Sequence, residues 1–104
     1  FMYAHLKGVR KYNDAVIYQK GADMDQIIDV LVKNTFVQDP EMWKKMNPTG
    51  LNVDGSVLED AVAADQDFYA GIGQVPTKVN MKDVIDMSFA KAAAAALGPY
   101  EPPE

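Results

Sequence analysis

The chain has 104 residues, 48% of them hydrophobic, with 10 Lys plus Arg against 15 Asp plus Glu and a formal net charge of −5. That is material for one modest core at most and too apolar for a disordered chain. The acidic balance disfavours nucleic acid and anionic lipid as partners, and the lack of cysteine excludes disulfides, thiolate nucleophiles and Cys-ligated zinc.

The first segment carries apolar residues at Met2, Leu6, Val9, Tyr12 or Asn13, and Val16. That spacing predicts a helix with one buried stripe from Phe1 to about Lys20, ended by Gly21. Lys7, Arg10 and Lys11 share a face of it. Asp14, four residues on from Arg10, is expected to pair with it on a solvated surface. No Ser, Thr, Asp or Asn precedes this pattern to cap its free amides, so the sequence is expected to be a piece of a longer protein. The lack of a basic-then-apolar leader then says nothing about location. No apolar run reaches the length of a bilayer span.

Asp23 and Gln26 have reciprocal-cap spacing at the start of a second helix, whose core stripe is Ile27, Ile28, Leu31 and Val32, closed by Phe36 or Val37. Asp39-Pro40-Glu41 predicts a short third helix to about Met46, stopped by Asn47-Pro48. Residues 47–55 read as a loop with two turn signals. Ser56 and Glu59 form a capping-box pattern opening a helix to about Tyr69, expected to bury Leu58, Ala61, Val62, Phe68 and Tyr69 before Gly71 and Gly73. Gln74 to Val79 is extended, with Pro76 within it. Asn80 caps a short helical turn through Val84 and Ile85. Ser88 or Asp86 starts a last helix, Phe89 to Leu97, which Gly98-Pro99 terminates, and the tail from Tyr100 is loosely held. The fold class is all-α, five or six helices in one segment spanning residues 1–104.

Catalytic equipment is sparse. Ser56 and Ser88 occupy helix-cap positions, where a hydroxyl is already committed to backbone, and His5 is the sole histidine. Asp54-Gly55 suggests a calcium loop, but the ligand positions on either side fall on Gly50 and Ala61, which offer no side-chain oxygen. Asp25 with Asp29 and Asp83 with Asp86 are helix-spaced acid pairs that face water more readily than a metal. Gly71-Ile-Gly73 lacks the rest of a dinucleotide motif. No catalytic residue, metal ligand or cofactor is assigned, and the chain is read as a non-enzyme. Trp43 and the five tyrosines are the candidates for contact with a small ligand or another protein.

Several stretches, in order, resemble one family. Gly8-Val-Arg-Lys-Tyr-Asn-Asp-Ala15 is similar to a Gly-Val-Arg-Asp-Tyr-Asn-Asp-Ala segment, with Lys11 in place of Asp. Asp39-Pro40 followed by Met46-Asn-Pro-Thr-Gly-Leu-Asn-Val-Asp-Gly55 is similar to a Pro-x-Gly-Leu-x-x-Asp-Gly loop. Asp65-Gln-Asp-Phe-Tyr69, Val84-Ile-Asp-Met-Ser-Phe-Ala-Lys-Ala-Ala93 and Leu97-Gly-Pro-Tyr100 complete the series. The resemblance is to substrate-binding proteins of ABC transporters, in the group for nitrate, sulfonates, taurine and thiamine pyrimidine precursors.

It implies a periplasmic or extracytoplasmic parent with two α/β lobes, of which this is the helical carboxy-terminal part. The partners it implies are the lobes amino-terminal to this segment and, through the parent, an ABC permease and a small organic or anionic solute. No ligand-binding residue transfers position by position. With the lobes absent, the stripes on the first and last helices are expected to drive self-association. The alternatives are an independent helical protein–protein interaction domain and an enzyme of the pyrimidine-synthase type, which would need cofactor-holding lysine and histidine elements upstream that this segment does not supply.

Overall fold

The computed structural model describes all 104 residues, Phe1–Glu104, and contains helices and no strand. Six α-helices are present: α1 Met2–Tyr12, α2 Met24–Asn34, α3 Pro40–Lys45, α4 Glu59–Gly71, α5 Met81–Val84 and α6 Ser88–Leu97. A π-helical turn, Asn13–Ile17, continues α1 directly.

The elements start where local chemistry is decisive. Asp39 accepts from the Glu41 amide at 2.9 Å with Pro40 in the first helical position, and Asn80 accepts from the Lys82 amide at 3.0 Å. Asp86 accepts from the Ser88 amide at 2.8 Å, and Gly98, at φ +76°, ends α6. All three starts match the sequence expectation to within a residue.

Two other boundaries depart from it, and at Asp23 the helix starts where expected but without its side-chain cap bond. The first helix ends at Ile17 and not near Lys20, and the left-handed position after it is taken by Gln19 (φ 53°) ahead of Gly21 (φ 102°). Asp23 makes no cap bond, because its carboxylate is bound by Lys11. The Ser56–Glu59 capping box does not form. The Asn52 side chain accepts from the amides of both Asp54 (3.0 Å) and Ser56 (3.2 Å), holding residues 52–56 in a turn. Helix α4 therefore begins at Glu59 without a side-chain cap.

Packing divides into two small apolar centres. In the first, Ala15, Val16, Ile28 and Trp43 bring the π turn, α2 and α3 together, with Ile27, Leu31, Val32 and Val37 around them; Phe36 stays in solvent. In the second, α1 meets α6 and buries Leu6, Val9, Ala90 and Ala93. Gly55 (φ +67°) closes over this centre, where a Cβ would stand 2.9 Å from Leu6 Cδ2 and 3.4 Å from Ala90 Cβ. The stripes of the first and last helices thus largely cover each other, contrary to the expectation that they stand uncovered.

The uncovered helix is α4. None of its residues is buried, and Leu58, Val62, Phe68 and Tyr69, all expected in the core, are exposed. It packs on α5 and projects from the rest of the chain with few ties. The radius of gyration is 17.1 Å, against about 13 Å for a compact domain of this length. The accessible surface is 7603 Å², about 1,800 Å² more than a compact chain of this mass exposes.

Candidate functional site: a polar node at Arg10 and an open face on α4

Two features stand apart from ordinary helix packing. The first is a polar node built on one turn of α1 and the π turn. Arg10 donates from Nε to the Val53 carbonyl at 3.0 Å, from one terminal nitrogen to the Gly98 carbonyl at 2.8 Å, and from the other to Asp54 Oδ1 at 3.0 Å. Its side chain is 12% exposed, and the guanidinium carbon lies 5.7 Å from the centre of the Tyr100 ring. Buried Asn13 donates to the Leu51 carbonyl at 2.6 Å and accepts from the Leu51 amide at 3.0 Å, so one side-chain amide satisfies both backbone groups of a loop residue. Tyr100 donates to Asp14 Oδ1 at 2.5 Å.

The π turn explains how Arg10, Asn13 and Asp14, three polar residues within five positions, all turn toward the node. Its wider ring, seen in the Tyr18 amide donating to the Asn13 carbonyl at 3.0 Å, shifts helical phase by one residue. Asn13 then faces the 50–54 loop while Ala15 and Val16 face the apolar centre. Burial pushes the Tyr100 phenol far above its usual range, helped by the hydrogen bond to Asp14 and by that carboxylate's charge, and opposed by Arg10. Burial also raises the Tyr12 phenol, whose Oη donates to the Thr49 carbonyl at 3.4 Å.

The node corrects the sequence reading of this face. Arg10 does not pair with Asp14, and the face is not simply solvated. Arg10 is drawn inward by two carbonyls and Asp54, Lys11 binds Asp23, and Lys7 is left exposed. Sequence reasoning missed the joint role of Arg10, Asn13 and Tyr100. One signal was present: Asn13 falls on the apolar stripe, where a polar residue needs a partner.

The other candidates are dispersed. His5 is exposed and stacked on Phe1, with ring centres 6.2 Å apart. No hydrogen bond links it to Ser56 or Ser88, and Ser88 is engaged by Asp86, whose carboxyl is held low first by the Ser88 hydroxyl and then by the Ser88 amide. Asp25 lies 3.9 Å from the Lys44 ammonium. No three His, Asp or Glu side chains gather as metal ligands would. Trp43 is buried, donating from Nε1 to the Val37 carbonyl at 3.0 Å, while Tyr3, Tyr18 and Tyr69 are exposed.

Two open depressions flank the node. One is bordered by Ile17, Leu51, Asn52 and Tyr100, the other by Asp54, Met87, Lys91 and Pro99. Neither contains an unsatisfied buried polar group aimed into it; the sole such atom in the chain is Thr35 Oγ1, on neither border. What this arrangement does chemically is lock: it ties α1, the 50–55 loop and the segment after α6 into one unit.

The second feature is the exposed apolar face of α4 and its flanks, Leu58, Val62, Phe68, Tyr69 and Ile72. The Phe68 and Tyr69 rings pack edge-on, 5.4 Å apart, without cover from the rest of the chain. No helix of the chain is long and apolar enough to cross a membrane. Comparison with protein-family models, with curated proteins and with solved structures finds no match to this chain.

Proposed function

We propose that this chain is the helical carboxy-terminal part of the solute-binding component of an ABC importer, acting outside the cytoplasm. In this reading it does no chemistry. It buttresses lobes that close on a small organic or anionic solute, and the parent delivers that solute to the permease. The observation that carries the reading is the node. The Gly8–Ala15 segment, the Pro48–Gly55 loop and Leu97–Tyr100, three of the stretches that resemble the family, lie far apart in sequence. They meet at Arg10, Asn13 and Tyr100.

Residues that act as one structural unit are a reason for such segments to recur together. The surplus of exposed surface is consistent with a piece that leans on neighbouring structure. A second reading, an independent helical protein–protein interaction domain, is favoured by the open face of α4.

The upstream coding sequence separates the two. The first reading expects an alternating βα pattern in frame, preceded by an export leader or lipoprotein cysteine. Calorimetry of the full-length product is then expected to detect one solute from a panel of sulfonates, nitrate and thiamine precursors. A start codon immediately before Phe1 overturns that reading in favour of the second.

A further inference from the structure

Helix α4 presents its faces the opposite way round from a helix at rest in its own fold. Ala63, Gln66 and Ala70, three and four residues apart, line its half-buried side. There Gln66 donates to the Val79 carbonyl at 3.0 Å and accepts from the Val79 amide at 2.8 Å, clamping the returning chain. The partnered side is thus made of two alanines and an amide. The larger side chains lie elsewhere: Leu58, Val62, Tyr69 and Ile72 follow a single stripe at helical spacing, with Phe68 beside it. All are exposed, Leu58 at 73% and Phe68 at 62%. One carboxylate, Asp65, falls at the middle of this stripe, seven residues from Leu58 and seven from Ile72.

Charge decides what covers such a face. Helix α4 carries Glu59, Asp60, Asp65 and Asp67 and no cation, and of these only Asp67 has an ion pair, with Lys78 at 2.8 Å. A second copy docked about a two-fold axis through the middle of the stripe brings Asp65 against its own equivalent, which is repulsive as the apolar contact closes. An anionic bilayer repels the same helix. The chain as a whole exposes about 1,800 Å² more than a compact chain of its mass, and the α4 stripe is one part of that surplus.

We propose that the α4 stripe is a docking surface for an apolar protein face that carries a lysine or arginine opposite Asp65. Burial of Val62, Phe68, Tyr69 and Ile72 supplies the attraction, and Asp65 selects the partner and rejects a like copy. This deepens the preceding reading by naming where a neighbouring part attaches, yet it stands on α4 alone and does not require the family.

The test uses the intact chain and a fluorescent amphipathic helical peptide with a leucine stripe and one central position, Arg in one version and Glu in the other. Anisotropy is expected to show the Arg peptide binding at least about tenfold tighter than the Glu peptide, with Asp65→Arg reversing that order. The double variant Val62→Ser with Tyr69→Ser is expected to lose both peptides while its circular dichroism stays unchanged. Equal binding of the two peptides, an unreversed order in Asp65→Arg, or a wild-type dimer by light scattering overturns the proposal, as does tighter binding to phosphatidylcholine vesicles than to the Arg peptide. None of these outcomes depends on the upstream sequence, so this proposal and the transport reading fail separately.

Discussion

Replacing Arg10 by Ala removes the hub of the polar node, and its cost can be built from the contacts. Two guanidinium bonds to the Val53 and Gly98 carbonyls are part-buried, and hydrogen bonds from a charged donor contribute about 1.5–3 kcal/mol each, here toward the lower end because solvent reaches the carbonyls after truncation. The Asp54 carboxylate is 58% exposed, so that ion pair adds about 0–1 kcal/mol. Contact with the Tyr100 ring adds about 0.5–1 kcal/mol. With the two carbonyl bonds at about 1.5 kcal/mol each, these give about 3.5–5 kcal/mol together.

A chain of this length is stabilised by only about 5–15 kcal/mol in total, and with nine buried residues this one belongs at the bottom of that range. Urea denaturation followed by circular dichroism at 222 nm is the assay. At a slope of about 2 kcal/mol/M, the midpoint falls by roughly 1.8–2.5 M. Arg10→Lys keeps the charge but not the fork and is expected to lose at least half as much. A loss below about 1 kcal/mol in Arg10→Ala refutes the view that the node holds the two ends of the chain together.

Tyr100→Phe deletes the bond to Asp14 and is expected to cost about 1–2 kcal/mol by the same denaturation assay. Because the folded phenol titrates above its unfolded value of 10.0, stability is full below pH 10 and falls as the unfolded chain ionises above it, by at most about 1.4 kcal/mol per pH unit. Tyr12 adds in the same direction, so Tyr100→Phe should flatten the alkaline slope without abolishing it. Gly55→Ala places a methyl group at a positive φ and against buried Leu6, and a loss of about 1–3 kcal/mol in thermal unfolding is expected; no loss would mean that the 50–55 loop does not close over α1 and α6 as described. Trp43→Phe leaves the Val37 carbonyl without its donor and a gap beside Ile28, for about 1–3 kcal/mol.

What could be read from the sequence follows a physical line. The helix starts at Asp39, Asn80 and Asp86 were legible because each carries a side-chain bond to an amide two residues on. The helix start misread at Ser56 was decided by Asn52, and the cap misread at Asp23 by Lys11, twelve residues away. Local spacing cannot rank a cap bond against a competing partner that the fold brings in. The same limit explains Arg10. Its neighbour at four residues, Asp14, is the natural local partner, but Asp14 binds Tyr100, 86 positions away, and Arg10 turns to carbonyls at 53 and 98. For α4 the period was read correctly and the burial was not. Periodicity identifies an apolar stripe but is silent on whether its cover lies in the same chain.

These observations together show where the chain's coherence comes from. An all-helical chain with two long irregular connections has many backbone amides and carbonyls outside helices, and each must be satisfied where it is withdrawn from water. Here side chains do it in place of a sheet: Asn13 for Leu51, Gln66 for Val79, Arg10 for Val53 and Gly98, and Gln19 for the Lys44 carbonyl at 2.7 Å. Such bonds fix geometry more than they supply driving force, since their net contribution is small beside that of apolar burial. The apolar centres are small, so the polar clamps set the shape while much apolar surface is left uncovered. A chain so arranged is specific in form and open on one side. That combination fits the docking surface proposed on α4, while the node at Arg10 holds α1 to the 50–55 loop and to the segment after α6.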